Sequence, residues 1–368
     1  MKISNLQLFW LLFCFETGNT ILITISPAIF RAKHDAWISF ILASVLGIMI
    51  VFVAAKAGLL YSDHTLIEFS QKIFGKWLGK AIVLCYIIQW YLVLPNIMGE
   101  FVEFTKIILL ESTPPWVLII TMVLLIIYGC YIGGIEGISR CSEVFGPIIF
   151  LSILCMLVLS ISNMDVNRIM PILSDKDFGA IFHGGLTPLS FFGESVVVLM
   201  LISFMAEPKK GPKIAVIALV ISSMLVTFMA LAVLFIFGGQ VAGNLRFPAF
   251  DAASVISLMD FIQNLEILAV LIWIISVFIK LSVYVFVASY GTAKFFKMKD
   301  WRKIIWVVGG TTTFLSILDA QYAYFGANFL HRFWIPYVMP INMIGLPLLM
   351  LVIGSIRKKK NSNKSVST

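Results

Sequence analysis

Apolar runs recur along the chain with only brief polar links between them. With about 20 apolar residues needed to cross roughly 30 Å of hydrocarbon, the pattern predicts five membrane-spanning helices in the first half, over residues 6–30, 36–60, 81–110, 116–133 and 144–162. Five more follow over 186–205, 213–238, 265–292, 303–319 and 334–356. Two of the ten are interrupted. The stretch GGLTPLSFFGESVVVLMLISFM, from Gly184 to Met205, contains Pro188, Gly193 and the ionisable Glu194, and the run from Leu6 to Phe30 contains Glu16, Thr17, Gly18, Asn19, Thr20 and then Pro27. Hydrocarbon offers no partner to a freed backbone group or a carboxylate, so such breaks are expected against protein or a protein-lined cavity. Gly18 and Gly193 stand about half the 368-residue chain apart, and paired breaks at matching places in two halves point to a transporter-type site near the bilayer midplane. The expected organisation is one membrane domain over 1–356, with repeats at about 6–162 and 186–356, followed by a basic tail at 357–368.

Composition agrees with a polytopic membrane protein, since 60% of residues are hydrophobic, 12% are charged and the mean hydropathy is +1.00. The net charge of +8 reflects where lysines sit relative to the bilayer and does not imply nucleic acid. With the N-terminus inside, 19 of the 27 Lys and Arg fall on the inner side and seven outside, which predicts cytoplasmic termini and an even number of crossings. Asp165, Asp175, Asp177, Asp251 and Asp260 fall in outer loops. The opening lacks a cationic leader and its first apolar run carries Glu16, so the first helix is expected to be retained. The cysteines at 14, 85, 130, 141 and 155 form no CxxC pair and there is no His cluster, so they are read as reduced, buried thiols with no metal or cofactor. From Thr65 to Lys80, Leu66, Phe69, Ile73 and Trp77 recur at helical spacing behind a Thr65/Glu68 capping box, which predicts an amphipathic helix on the inner surface. The tail, RKKKNSNKSVST, has no apolar face and is expected to be irregular or to lie on anionic lipid.

The chemistry has to come from polar groups inside the spans. Tyr86, Gln89, Asn96, Glu100 and Glu103 line one stripe of the third, with Glu103 near the outer interface. The eighth carries Trp273, Ser276, Lys280 and Tyr284 on one face. An ammonium at that depth needs a counter-charge, and Glu194, Glu16 and Glu100 are the candidates. Glu194 is favoured because the sixth and eighth spans both line the inferred site. At the first break, unwound backbone would receive a ligand carboxylate or hydroxyl, against the plainer reading of a kinked helix packed by glycine. At the second, Phe191 and Phe192 would be walls. No HExxH, GxSxG or phosphate-binding loop supports an enzyme.

The ten spans, the MPIL at Met170 to Leu173, the FFGES ending at Ser195 and the basic tail together resemble the spore germination permease family. Its members are the B subunits of nutrient germinant receptors in endospore-forming bacteria and are related to the amino acid/polyamine/organocation superfamily. The resemblance implies an all-α polytopic protein whose ten helices form two inverted five-helix repeats (LeuT-like), with helices 1 and 6 broken. It also implies a subunit of the spore inner membrane that binds a small nutrient beside an A-type subunit and a lipoprotein C-type subunit. The implied pocket lies between the broken helices and the third and eighth spans, at Thr17, Gly18, Asn19, Phe192, Gly193 and Tyr284. Glu194 joins it as a ligand contact, and Lys280, Glu194 and Glu100 form a gating or charge-pair group. A secondary transporter of amino acids or related solutes is the alternative on the same fold. The expected orientation is tested by thiol labelling: Asp175→Cys should react with an impermeant reagent added outside intact membranes and Ser362→Cys should not, and the reverse pattern overturns it.

Overall fold

Ser4 starts the first helix, α1 (Asn5–Ala32), with a capping box in which its hydroxyl accepts the Gln7 N–H at 3.1 Å and the Gln7 side chain accepts the Ser4 N–H at 2.9 Å. A 3-10 turn at Lys33–Asp35 leads to α2 (Ala36–Leu59), followed by the short α3 (Leu66–Phe74), α4 (Lys76–Ile108) and α5 (Pro115–Leu159). The second half holds α6 (Phe178–Phe192), α7 (Val198–Leu201), α8 (Gly211–Ala242), α9 (Pro248–Ser254), α10 (Glu266–Phe295) and α11 (Arg302–Tyr322). A π-helical stretch, Leu330–Gly345, runs into α12 (Leu346–Val366). This computed structural model describes residues 1–173, 178–256, 266–322 and 329–366; Asp175, Asp177 and Asp260 lie outside the described residues.

Among the described residues, eight stretches are long and apolar enough to cross a membrane, and two of them are double. Asn5–Leu59 contains both α1 and α2, and α5 folds back at Gly134, where φ is 52° and ψ is −152°. A straight helix of the 45 residues of α5 would be roughly 68 Å long, about twice the hydrocarbon thickness. Each double stretch therefore makes two crossings, so the described residues make ten. The link expected after residue 133 is helical beyond Gly134, because one glycine with positive φ makes the turn and the next residues bond in helical register, including an Arg140–Glu136 pair at 2.8 Å.

The sixth span is broken where its sequence indicates. After α6, residues Gly193–Val197 form a 3-10 segment, Val198–Leu201 a single α-turn and Ile202–Phe204 another 3-10 turn. The first span differs from expectation: α1 is helical throughout, and the unwinding expected at Glu16 to Thr20 is not found. The hydroxyls of Thr17 and Thr24 bond back to the carbonyls of Phe13 and Thr20, each at 2.6 Å, and Thr20 bonds back to Glu16, so these polar side chains are satisfied without freeing the backbone. Gly18 has a different purpose. A Cβ there would overlap Cβ and Oγ of Ser276 and lie 3.1 Å from the Ile272 carbonyl, so glycine permits α1 and α10 to cross in contact.

At the end of the bundle bearing the N-terminus, the chain before α1 is fastened to the chain after α7. Ile3 N–H donates to Phe204 O at 2.8 Å, Ala206 N–H donates to Ile3 O at 2.9 Å, and Lys2 donates to Met205 O at 3.2 Å. The Thr65/Glu68 capping box is present, but α3 stops at Gly75, whose φ is 85°. Leu66, Phe69 and Ile73 are buried in protein, and Trp77, on the next helix, is 86% exposed. The amphipathic helix is thus shorter than expected and docked rather than floating. The basic tail, expected to be irregular or to lie on anionic lipid, is not irregular but continues α12 to Val366, since Arg and Lys are good helix formers and no Gly or Pro intervenes after Gly354. Of the cysteines, Cys14 and Cys130 are buried, whereas Cys85, Cys141 and Cys155 face outward from the bundle.

Gly18→Ala should lower thermal stability by about 1–3 kcal/mol by overpacking this crossing. Adding Ser276→Gly, which removes the atoms the new methyl meets, should restore most of it in a melting measurement on purified protein. No loss from Gly18→Ala alone would show that the crossing is loose.

Candidate functional site

The break in the sixth span places Glu194 against α10. Lys280 Nζ lies 2.9 Å from Glu194 Oε2 with the lysine fully buried and the glutamate 3% exposed, and Tyr284 OH donates to the same oxygen at 2.7 Å. The ammonium sits between two rings, 5.0 Å from the centre of Phe15 and 5.1 Å from that of Phe191, whose π faces favour a desolvated cation. Of the three candidate partners for Lys280, Glu194 is the one in contact. Glu100 is engaged elsewhere: its two oxygens accept from Asn19 Nδ2 at 3.1 Å and Asn96 Nδ2 at 3.0 Å. Glu16 is buried, and neither of its carboxyl oxygens has a hydrogen-bond partner among the described residues.

Glu194 and Glu100 border a small cavity lined among others by Asn19, Asn96, Phe191, Leu330 and Trp334, with a volume of about 10 Å³, room for about one water molecule. A larger cavity of about 560 Å³ is lined among others by Ser26, Arg31, His183, Thr187 and His331, the last next to Leu330 in the chain. It lies at the end of the bundle opposite the Ile3–Met205 fastening. The Ile3–Met205 fastening and the larger cavity thus lie at opposite ends of the bundle, and Leu330 and Trp334 are part of the small cavity's wall.

The third-span stripe is used along its whole length. Tyr86 OH donates to Asn342 O at 2.8 Å and Asn342 Nδ2 donates to Gln89 Oε1 at 2.9 Å, which gives polar partners to the π-helical stretch where Pro336 and Pro340 interrupt ordinary helical bonding. Asn96 and Glu100 face the cavity, and Glu103 pairs with Arg246.

Not every residue expected in the pocket reaches it. Asn19, Glu194 and Glu100 line the cavity, and Tyr284 touches it through Glu194. Thr17 is turned to α8, where its hydroxyl oxygen, already donating to Phe13 O, can accept from Ser222 Oγ at 2.9 Å, and Gly18 faces α10. Phe192 packs against α2, since a Cβ on Gly47 would come within 2.7 Å of its own Cβ. Gly193 lies against Met343, whose sulfur would be 2.6 Å from an added Cβ. Of the two rings expected as walls, Phe191 lines the cavity and Phe192 does not, since consecutive residues of α6 point about 100° apart. Trp334 and Leu330 were not anticipated; the only sequence signal near them is the pair of prolines in the tenth span.

A family model described as Spore germination protein matches residues 2–323. Spore germination protein YndE of Bacillus subtilis (strain 168) is 27% identical over 333 residues, 88% of this chain and 88% of that protein. Spore germination protein KB of the same organism is 24% identical over 374 aligned positions, covering 99% and 97% of the two chains. Among solved structures, MhsT in complex with L-phenylalanine superposes with a TM-score of 0.68 at 14% identity, covering 96% of this chain and 88% of that one, a likeness of LeuT-type fold.

Lys280→Met should destabilise the protein by on the order of 3–5 kcal/mol by leaving Glu194 buried without its counter-charge, seen as reduced accumulation in membranes. Adding Glu194→Gln should recover accumulation and adding Glu100→Gln should not. Normal accumulation of Lys280→Met alone would mean that the pair carries no structural weight.

Proposed function

Because this chain belongs to the spore germination protein family, we propose that it is the membrane-embedded subunit of a nutrient germinant receptor, binding an amino acid or similar small solute near the bilayer midplane to trigger germination. The match of the family model over residues 2–323 carries this reading, and the small cavity at the break of the sixth span, which must widen from about 10 Å³ to admit a solute, is the place it would use. A ligand ammonium would be met there by the Glu100 carboxylate and a ligand carboxylate by backbone N–H groups at the Gly193 break. Entry would be from the larger cavity, past Leu330 and Trp334. The partners of this reading are an A-type subunit and a lipoprotein C-type subunit, and its location is the spore inner membrane with both termini cytoplasmic.

The superposition on MhsT favours secondary transport as a second reading, because the fold accommodates both roles. Purified protein reconstituted alone in proteoliposomes separates them. With a panel of radiolabelled L-amino acids, a receptor subunit should show saturable binding of at least one without accumulation, and Trp334→Ala should raise its association rate. Concentrative uptake by the subunit alone would replace the receptor reading with the transporter one.

A further inference from the structure

Four ionisable side chains meet where α1, the broken sixth span and α10 converge: Glu16, Glu194, Lys280 and Tyr284. Their partners are unequal. Glu194 receives both the ammonium of Lys280, at 2.9 Å, and the Tyr284 hydroxyl, at 2.7 Å. Glu100, the next acid away, is served by the amides of Asn19 and Asn96. Glu16 is 1% exposed and receives no donor on either oxygen among the described residues. The charges acting on it are Lys280 and Glu194, which are already paired with each other. Among the described residues no charge other than these two is recorded acting on Glu16. A carboxylate ion without a donor, in apolar surroundings, is far costlier than the neutral acid.

We propose that Glu16 is a proton-binding site in the membrane core, protonated while Lys280 is paired with Glu194 and serving as the counter-ion of Lys280 when Glu194 is withdrawn. In that exchange the Glu16 O–H bond breaks and a Glu194 O–H bond forms. Lys280 keeps its proton throughout, and the net charge of the group does not change. A ligand or conformational change that acts on Glu194 is thereby converted into movement of a proton across the contact between α1 and the sixth span. The proposal does not depend on which solute the cavity takes.

Infrared spectroscopy of the full-length protein in lipid nanodiscs near neutral pH reads this directly, through the C=O stretch of a protonated carboxyl in apolar surroundings. The parent should show such a band, Glu16→Gln should abolish it and Glu100→Gln should leave it. Glu194→Gln should also abolish it, because Lys280 then draws the charge onto Glu16. If Glu16→Gln does not accumulate, Glu16→Asp, which should shift the band, takes its place. A parent without the band, or a band unmoved by changes at Glu16, overturns the site. A band that persists in Glu194→Gln overturns the exchange.

Discussion

A buried ammonium in a solvent that cannot hydrate it is the constraint on which the centre of this protein depends. Lys280 is completely enclosed, and everything around it answers that condition: one carboxylate, a tyrosine hydroxyl sharing that carboxylate, and two aromatic rings. These partners come from α1, from the flanks of the break after α6 and from α10 itself. The cluster thus holds three spans in one register. Buried pairs of this kind add little stability compared with well-packed apolar residues, whereas separating their members is costly. Their effect is to fix an arrangement, which suits a site whose geometry has to be reproducible before a ligand arrives.

Much of this was legible in the sequence, because the longest-range rule in a membrane protein is also the simplest. Apolar length gave the ten crossings, and Pro188, Gly193 and Glu194 inside an apolar run marked a helix that breaks. The unpaired appearance of Lys280 and the polar residues of the broken span were enough to favour Glu194 as its partner. What escaped was orientation. Gly18 and its polar neighbours give the same signal whether a helix unwinds or crosses another at close range, and only the position of Ser276 distinguishes the two. Phe191 and Phe192 pose a similar question: adjacent residues of α6 point about 100° apart, so only one ring can line the cavity, and the sequence does not say which.

The polar stripe of α4 shows how one helix can support several different needs. Near its start Tyr86 and Gln89 satisfy the π-helical stretch, in the middle Asn96 and Glu100 face the cavity, and towards its end Glu103 holds Arg246. None of these pairings decides between sensing and transport, which share the fold. They do make α4 the element that relates the tenth span, which covers the cavity, to the helix carrying Asn19.

The join between Ile3 and the chain around Met205 consists of main-chain hydrogen bonds supplemented by one lysine. Each such bond is worth on the order of 0.5–1.5 kcal/mol net, so the whole join amounts to a few kcal/mol. That is the scale of free energy by which one small molecule can distinguish two conformations. Because peptide groups form it, amino-acid substitution has little purchase on its strength. A link made of peptide groups keeps its strength when side chains change, so the lining of the cavity can vary in sequence while this join stays the same.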